Sequence, residues 1–235
     1  MSAAMEIQSV LKVLKVVVLG GGSVGTTLAK ALVDSGMCGS VAIGARNPDK
    51  TKTKLSEMKP PLDALIPVEE SQSALQSANV VILCTPSVYS DAGIQELAKS
   101  LGDMTDKVVI DATNPLSEFA DGLQVRWKEG ISGGEVLAEA LPAAKVYKSF
   151  NTVGVEHMAA ALGKDMLIAG DAEEKYRTIC EAVVAAVGFK PFYCGPIRYA
   201  RNLEAMGELW IHMAVPPLGA ETKSRKFWFS VSGDP

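Results

Sequence analysis

The residues Leu19-Gly20-Gly21-Gly22-Ser23-Val24-Gly25 set Gly20, Gly22 and Gly25 in G-x-G-x-x-G register, with an apolar run before them and helical spacing (Val24, Leu28, Leu32) after. Each glycine answers a separate physical need of a dinucleotide loop. The first permits a tight turn, the second lets backbone approach a pyrophosphate, and the third lets helix pack on strand. The helix start then presents unpaired N–H groups and partial positive charge to the anion.

The end of the next apolar run decides which dinucleotide such a loop would hold. A non-phosphorylated ribose calls for a carboxylate there, to accept hydrogen bonds from the 2′-hydroxyl. The sequence instead reads Gly44-Ala45-Arg46-Asn47-Pro48, with Lys50 close behind. A guanidinium at this point is suited to a 2′-phosphate through charge-assisted hydrogen bonds, so NADP(H) is the expected cofactor. Asn114 and Asn151 follow the fifth and sixth apolar runs, and either amide could fix a nicotinamide carboxamide or a second ring. Arg198 and Arg201 stand one helical turn apart, a spacing that could serve an anionic tail. His157 is expected to be a satisfied polar group, and Met206, Trp210 and Met213 to be packing residues.

What must position these groups is legible from periodicity. Short apolar runs at Val16–Leu19, Val41–Ala45, Leu65–Val68, Val80–Cys84, Val108–Asp111, Val146–Phe150, Met166–Ala169 and Pro191–Cys194 predict strands covered on both faces, which is α/β architecture. Pro67 and Pro191 assign two of them to sheet edges. Between the runs, stripes such as Tyr176, Ile179, Val183 and Val187 predict amphipathic helices. Asp171 with Glu174, and Ser132 with Glu135, have capping-box spacing; Gly36 and Gly188 mark helix ends. A division into residues 1–147 and a smaller portion 148–235 is expected, and the aperiodic stretch Ala112–Gly130 reads as a functional loop.

The balance of 23 basic and 27 acidic groups, net charge −4, gives no general attraction to nucleic acid or anionic lipid. The longest apolar run, Ala182–Phe189, is too short to span a bilayer, and Met1–Lys15 fits neither a secretory signal nor a transit peptide. Four dispersed cysteines and two histidines predict reduced thiols, a cytoplasmic setting and no metal site.

Taken together, the glycine loop, Ala45-Arg46-Asn47-Pro48, Asn79-Val80-Val81-Ile82-Leu83-Cys84-Thr85-Pro86 and Lys148-Ser149-Phe150-Asn151-Thr152 resemble the coenzyme F420-dependent NADP oxidoreductases. The likeness spans about residues 15–215, taking in Ala169-Gly170-Asp171 and Gly195-Pro196-Ile197-Arg198, and extends to the cytosolic NADPH-binding domain of transmembrane metalloreductases. It implies a Rossmann-type doubly wound parallel sheet with a small C-terminal α/β portion, a homodimer, and a flavin-like ring stacked on the nicotinamide. It also implies that Gly20, Gly22, Ser23 and Val24 line the pyrophosphate, Ala45, Arg46 and Asn47 the 2′-phosphate, and Thr85 with Pro86 the nicotinamide ribose. Archaeal members typically carry two consecutive arginines after the second strand. Here Asn47 follows Arg46, so Lys50 is expected to supply the second charge. The segment Asp111-Ala112-Thr113-Asn114-Pro115-Leu116 is closer to the metalloreductase-like relatives than to the deazaflavin enzymes.

Hydride transfer between NADPH and a flavin or deazaflavin needs positioning more than protein acid–base chemistry. That agrees with the absence of a Ser-His-Asp order, an H-E-x-x-H helix or a conspicuous carboxylate pair, and no catalytic side chain is expected. An NADPH sensor acting through a partner without turnover is the competing expectation. An imine or pyrroline carboxylate reductase ranks third, because it needs a long helical C-terminal domain and few residues follow Gly188. The Phe227-Trp228-Phe229 tail reads either as a last strand or as an exposed partner site.

Overall fold

Apolar strands that alternate their side chains between two faces build the centre of one sheet in the computed structural model, which describes residues 10–117, 130–214 and 225–232. The strands are β1 (Lys15–Leu19), β2 (Ser40–Ala45), β3 (Val68–Glu70), β4 (Val80–Leu83), β5 (Val108–Asp111), β6 (Lys145–Lys148), β7 (Asp165–Gly170) and β8 (Lys190–Gly195). Among the described residues they lie in the order β3-β2-β1-β4-β5-β6-β7-β8. From β3 to β6 all neighbours are parallel; β7 runs antiparallel to β6, and β8 is parallel to β7. This is an α/β fold of the Rossmann type.

The intervening helices are α1 (Ser23–Ser35), α2 (Pro48–Ser56), α3 (Ser71–Gln76), α4 (Asp91–Leu101), α5 (Gly133–Ala140), α6 (Val155–Met158), α7 (Glu174–Ala186) and α8 (Ala200–Ala214). Strand period two splits the core between them. Val16, Val18, Ile82 and Ile110 pack with Leu28 and Leu32 of α1 and Val183 of α7. Val17, Leu19, Leu83 and Val109 pack on the other face with Leu75 of α3, Ile94 of α4 and Leu137 of α5. A run such as Val16-Val17-Val18 is therefore buried at every position, and each such side chain contributes roughly 1.5–3 kcal/mol by leaving water.

Both proline-bearing strands occupy the edges, β3 at one and β8 at the other. The third strand is shorter and later than Leu65–Val68 because the chain turns first: Leu65 and Ile66 donate to the Leu62 carbonyl at 3.0 Å each. Pro67 has no N–H for the ladder, though its carbonyl accepts from Ile43 at 2.9 Å, and pairing begins at Val68. The sixth strand stops at Lys148 instead of Phe150. Phe150 adopts φ 64° and gives its N–H to the Met166 sulfur, which turns the chain out of the sheet.

The Ser132/Glu135 capping box forms in full at α5, and Gly36 closes α1 in the left-handed conformation. The box expected from Asp171 and Glu174 does not form: Glu173 is the α7 N-cap without a side-chain bond, and Asp171 accepts from the Glu173 amide instead. The expected division after residue 147 falls at the end of β6, and β7 and β8 continue the same sheet. Most of the aperiodic stretch Ala112–Gly130 lies outside the described residues, as do residues 1–9 of the leader.

The Phe227-Trp228-Phe229 segment is not a strand. Phe227 stacks on Trp210 at 5.5 Å and accepts from its indole N–H at 3.0 Å, so the segment lies against α8. His157 is buried, with Nε2 3.1 Å from the Arg225 carbonyl, the satisfied role expected of it. No helix among the described residues is long and apolar enough to cross a membrane, and none of their His, Cys, Asp and Glu side chains group as metal ligands would.

Candidate cofactor site

Chain order reverses at β1, which sits between β2 and β4, so a crevice opens at the carboxyl ends of these strands. The glycine loop lies there, and its three glycines meet different surroundings. Gly20 takes φ +124°, and a Cβ on it would come within 2.5 Å of the Cys84 carbonyl oxygen. A Cβ on Gly25 would overlap the Gly20 carbonyl oxygen, so helix and turn touch through backbone. A Cβ on Gly22 would meet nothing within 4 Å: this glycine faces open space. Gly22 is also the N-cap of α1 and makes no side-chain cap bond, and no acidic residue stands in the first turn. The first amides of α1, beside exposed Ser23 and half-buried Val24, are thus left for an outside anion.

At the end of β2, Ala45 is buried, whereas Arg46, Asn47 and Lys50 are exposed. Arg46 is therefore accessible at the expected 2′-phosphate position. Asn47 has a local function that the sequence pattern did not reveal: it is the N-cap of α2 and accepts the Lys50 amide at 2.9 Å. A cation missed by sequence reading comes from the following turn. Lys54 Nζ donates to the Gly21 carbonyl at 3.1 Å, bringing a positive charge to the glycine loop. The signal was present in the Lys50–Lys54 spacing, which places both on one side of a helix.

After β4, Thr85 Oγ1 is buried without a hydrogen-bond partner among the described residues, and Pro86 is exposed beside it. Burial, with Asp111 nearby, pushes the Cys84 thiol far above its ordinary pKa, so it stays protonated beside the loop and is no nucleophile. A cleft continues from there between α4 and α5, lined by Leu83, Pro86, Val88, Asp111, Thr113 and Leu137 among others.

Beneath the cleft lies a charged cluster. Lys148 Nζ stands 2.8 Å from Asp111 Oδ2 and 3.1 Å from Glu204 Oε1, with all three side chains buried. Glu204 also accepts the Gly133 and Gly134 amides at the start of α5, at 3.0 and 2.9 Å. Burial alone would lower the Lys148 pKa; Asp111 and Glu204 outweigh it and hold the ammonium above its ordinary value. The sequence showed no conspicuous carboxylate pair, yet the fold assembles one around a lysine. The signals were a lysine inside an apolar strand and an acid on the buried stripe Ala200, Leu203, Glu204, Gly207 of α8.

Asn114 and Asn151 are brought together, but on each other. Asn151 Nδ2 donates to Asn114 Oδ1 at 3.0 Å and to the Leu203 carbonyl at 2.8 Å, and Asn114 Nδ2 donates to the Asn151 carbonyl at 3.1 Å. These amides tie the β5 and β6 loops to α8. Asn151 Oδ1 remains buried without a partner among the described residues. Arg201 is likewise engaged, forming two 2.7 Å bonds to Glu135. Burial opposes ionisation of Glu135, but Arg201 and Ser132 outweigh it and hold its carboxyl below the usual range. The two arginines do not share one helix face, because Arg198 lies in a 3-10 turn, Ile197–Tyr199, against the Tyr199 ring, and Arg201 lies in α8.

Residues 15–115 match the family described as NADP oxidoreductase, coenzyme F420-dependent. Over that segment the chain is similar to this family. The match contains the glycine loop, Arg46, Thr85, Asp111 and Asn114, and it ends well short of the C-terminal motifs that carried the rest of the resemblance. No curated protein matches the chain.

Among solved structures, a putative F420-dependent NADP-reductase from Arthrobacter sp. FB24 superposes with TM-score 0.72 at 23% identity, covering 94% of this chain and 100% of that one. A hypothetical protein from Sinorhizobium meliloti gives TM-score 0.65 at 22% identity, covering 93% and 96%. A reductive aminase from Aspergillus terreus, in complex with NADPH, gives TM-score 0.58 at 17% identity and covers 86% of this chain but only 65% of its own. At these identities the likeness is one of fold. It extends along nearly the whole of the first two chains, beyond the residues of the family match.

Proposed function

We propose that the chain is an NADP(H)-dependent oxidoreductase that exchanges hydride with a flavin or deazaflavin of the F420 type. The observation that carries the cofactor reading is the combination at Gly22 and Arg46: an uncapped helix start whose glycine faces open space, beside an exposed guanidinium where a carboxylate would otherwise stand. The residues fit the group. Backbone amides of Gly22, Ser23, Val24 and Gly25 would hold the diphosphate, and Lys54 would add charge at the loop. Arg46, with Lys50, would hold the 2′-phosphate, and the unpartnered Thr85 Oγ1 with Pro86 would meet the nicotinamide ribose. The family match supports the reaction class, and the acceptor is inferred from its description.

Bound NADP(H) would supply the hydride itself, and the protein would supply alignment. The sheet's carboxyl edge would orient the nicotinamide half, and the α4–α5 cleft would shield it from water. Asp111 is engaged by Lys148 and Thr113, Glu204 by Lys148 and the α5 amides, and Glu135 by Arg201 and Ser132.

Two outcomes are expected. Arg46→Ala should weaken NADPH binding roughly 10- to 100-fold, the loss of a charged hydrogen bond, while NADH affinity stays nearly unchanged; equal losses would refute the 2′-phosphate assignment. The purified chain mixed with NADPH and oxidised F420, or in parallel a free flavin, should consume the reduced-nicotinamide absorbance catalytically. Tight NADPH binding with no turnover on either acceptor would contradict the enzyme reading and favour the sensor.

A further inference from the structure

Asp111 closes β5 with both oxygens engaged. Oδ2 faces the Lys148 ammonium at 2.8 Å. Oδ1 takes two donors from one residue, the Thr113 amide at 2.9 Å and the Thr113 hydroxyl at 2.7 Å. An ionised carboxylate accepts only, so the direction of the last bond is fixed: the hydroxyl proton points at Asp111. Thr113 lines the cleft next to Pro86. With its proton committed, its oxygen has only lone pairs to offer a ligand there.

The ligand's orientation follows from the topology. The glycine loop at β1 takes the diphosphate and Arg46 at β2 the adenosine end, so the other nucleotide half runs across the reversal toward β4 and β5. The nicotinamide edge that reaches Thr113 must present a donor, and the carboxamide N–H₂ is the amide donor on that ring. We propose that Thr113 Oγ accepts from the nicotinamide carboxamide and distinguishes this amide from isosteric carbonyl groups. Asp111 and Lys148 are the positioning residues that fix its polarity. This deepens the NADP(H) reading and rests on it.

The test is calorimetric titration with oxidised NADP and with its 3-acetylpyridine analogue, which keeps the ring carbonyl and replaces the amino group by methyl. The unaltered chain should prefer the carboxamide about 5- to 10-fold, the worth of one hydrogen bond. Thr113→Val should bring that ratio close to one, and Thr113→Ser should retain it. In Asp111→Ala the hydroxyl loses the acceptor that fixes its direction and can turn its proton toward the ligand, so the ratio should fall although the hydroxyl is still present. A merely structural role for these residues would weaken both ligands alike and leave the ratio unchanged.

NADP binding without discrimination, or a ratio that survives Thr113→Val, overturns the inference and leaves the cofactor reading standing. A ratio unaffected in folded Asp111→Ala overturns the positioning role. Failure of the unaltered chain to bind NADP at all overturns the cofactor reading and this inference together.

Discussion

Lys148→Met is expected to destabilise the protein by about 3–5 kcal/mol, read as a lowered urea midpoint at pH 7. The ammonium is fully buried between Asp111 and Glu204. Methionine keeps the volume of the stem and removes the one positive side-chain charge that contacts these carboxylates among the described residues. Glu204 would retain the Gly133 and Gly134 amides, and Asp111 would retain Thr113, but neither set supplies a full opposing charge.

The pH dependence has a definite sign. In the unaltered chain the Lys148 pKa is raised above 10.5, so its contribution is complete below that ordinary value and is lost only as the pH climbs through the raised one. A change below about 1 kcal/mol would show that the cluster does not hold α8 in place as described.

Substitution within the glycine loop should separate folding from binding. Gly25→Ala sets a methyl group into the Gly20 carbonyl, two pieces of backbone that cannot rotate away. The expected loss is about 1–3 kcal/mol, toward the upper end, together with weaker NADPH binding as turn and helix move apart. Gly22→Ala meets nothing in the protein within 4 Å, so its stability cost is only that of replacing glycine at an N-cap, about 1 kcal/mol at most. Its methyl would occupy the space through which a diphosphate approaches the amides. NADPH affinity should therefore fall by roughly 10-fold or more, a penalty comparable to losing one charged hydrogen bond. If Gly22→Ala bound NADPH as the unaltered chain does, the diphosphate would not lie at this helix start.

The strand centres were legible because a sheet covered on both faces must be apolar at every position, and β4 and β5 have no other reading. Ends were harder wherever a local bond competes with the ladder, as at Pro67 and Phe150. The glycine loop was legible because its constraints are local, confined to seven consecutive residues. Arg46 and the missing carboxylate beside it were legible for the same reason. The Asp111–Lys148–Glu204 cluster was not, since its members are separated by up to 93 positions and only the packing of α8 against α5 and β7 makes them neighbours. Asn114 and Asn151 show the converse. Their location at the carboxyl edge was anticipated, but the fold directs their amides largely to one another and to the Leu203 carbonyl.

Calorimetric titration of the unaltered chain with NADPH, and in parallel with NADH at the same ionic strength, tests the central claim most directly. One NADPH is expected to bind per chain, at least tenfold more tightly than NADH, with the advantage shrinking as added salt screens Arg46 and Lys50. No heat with NADPH, or equal affinity for both nucleotides at low salt, would contradict the account.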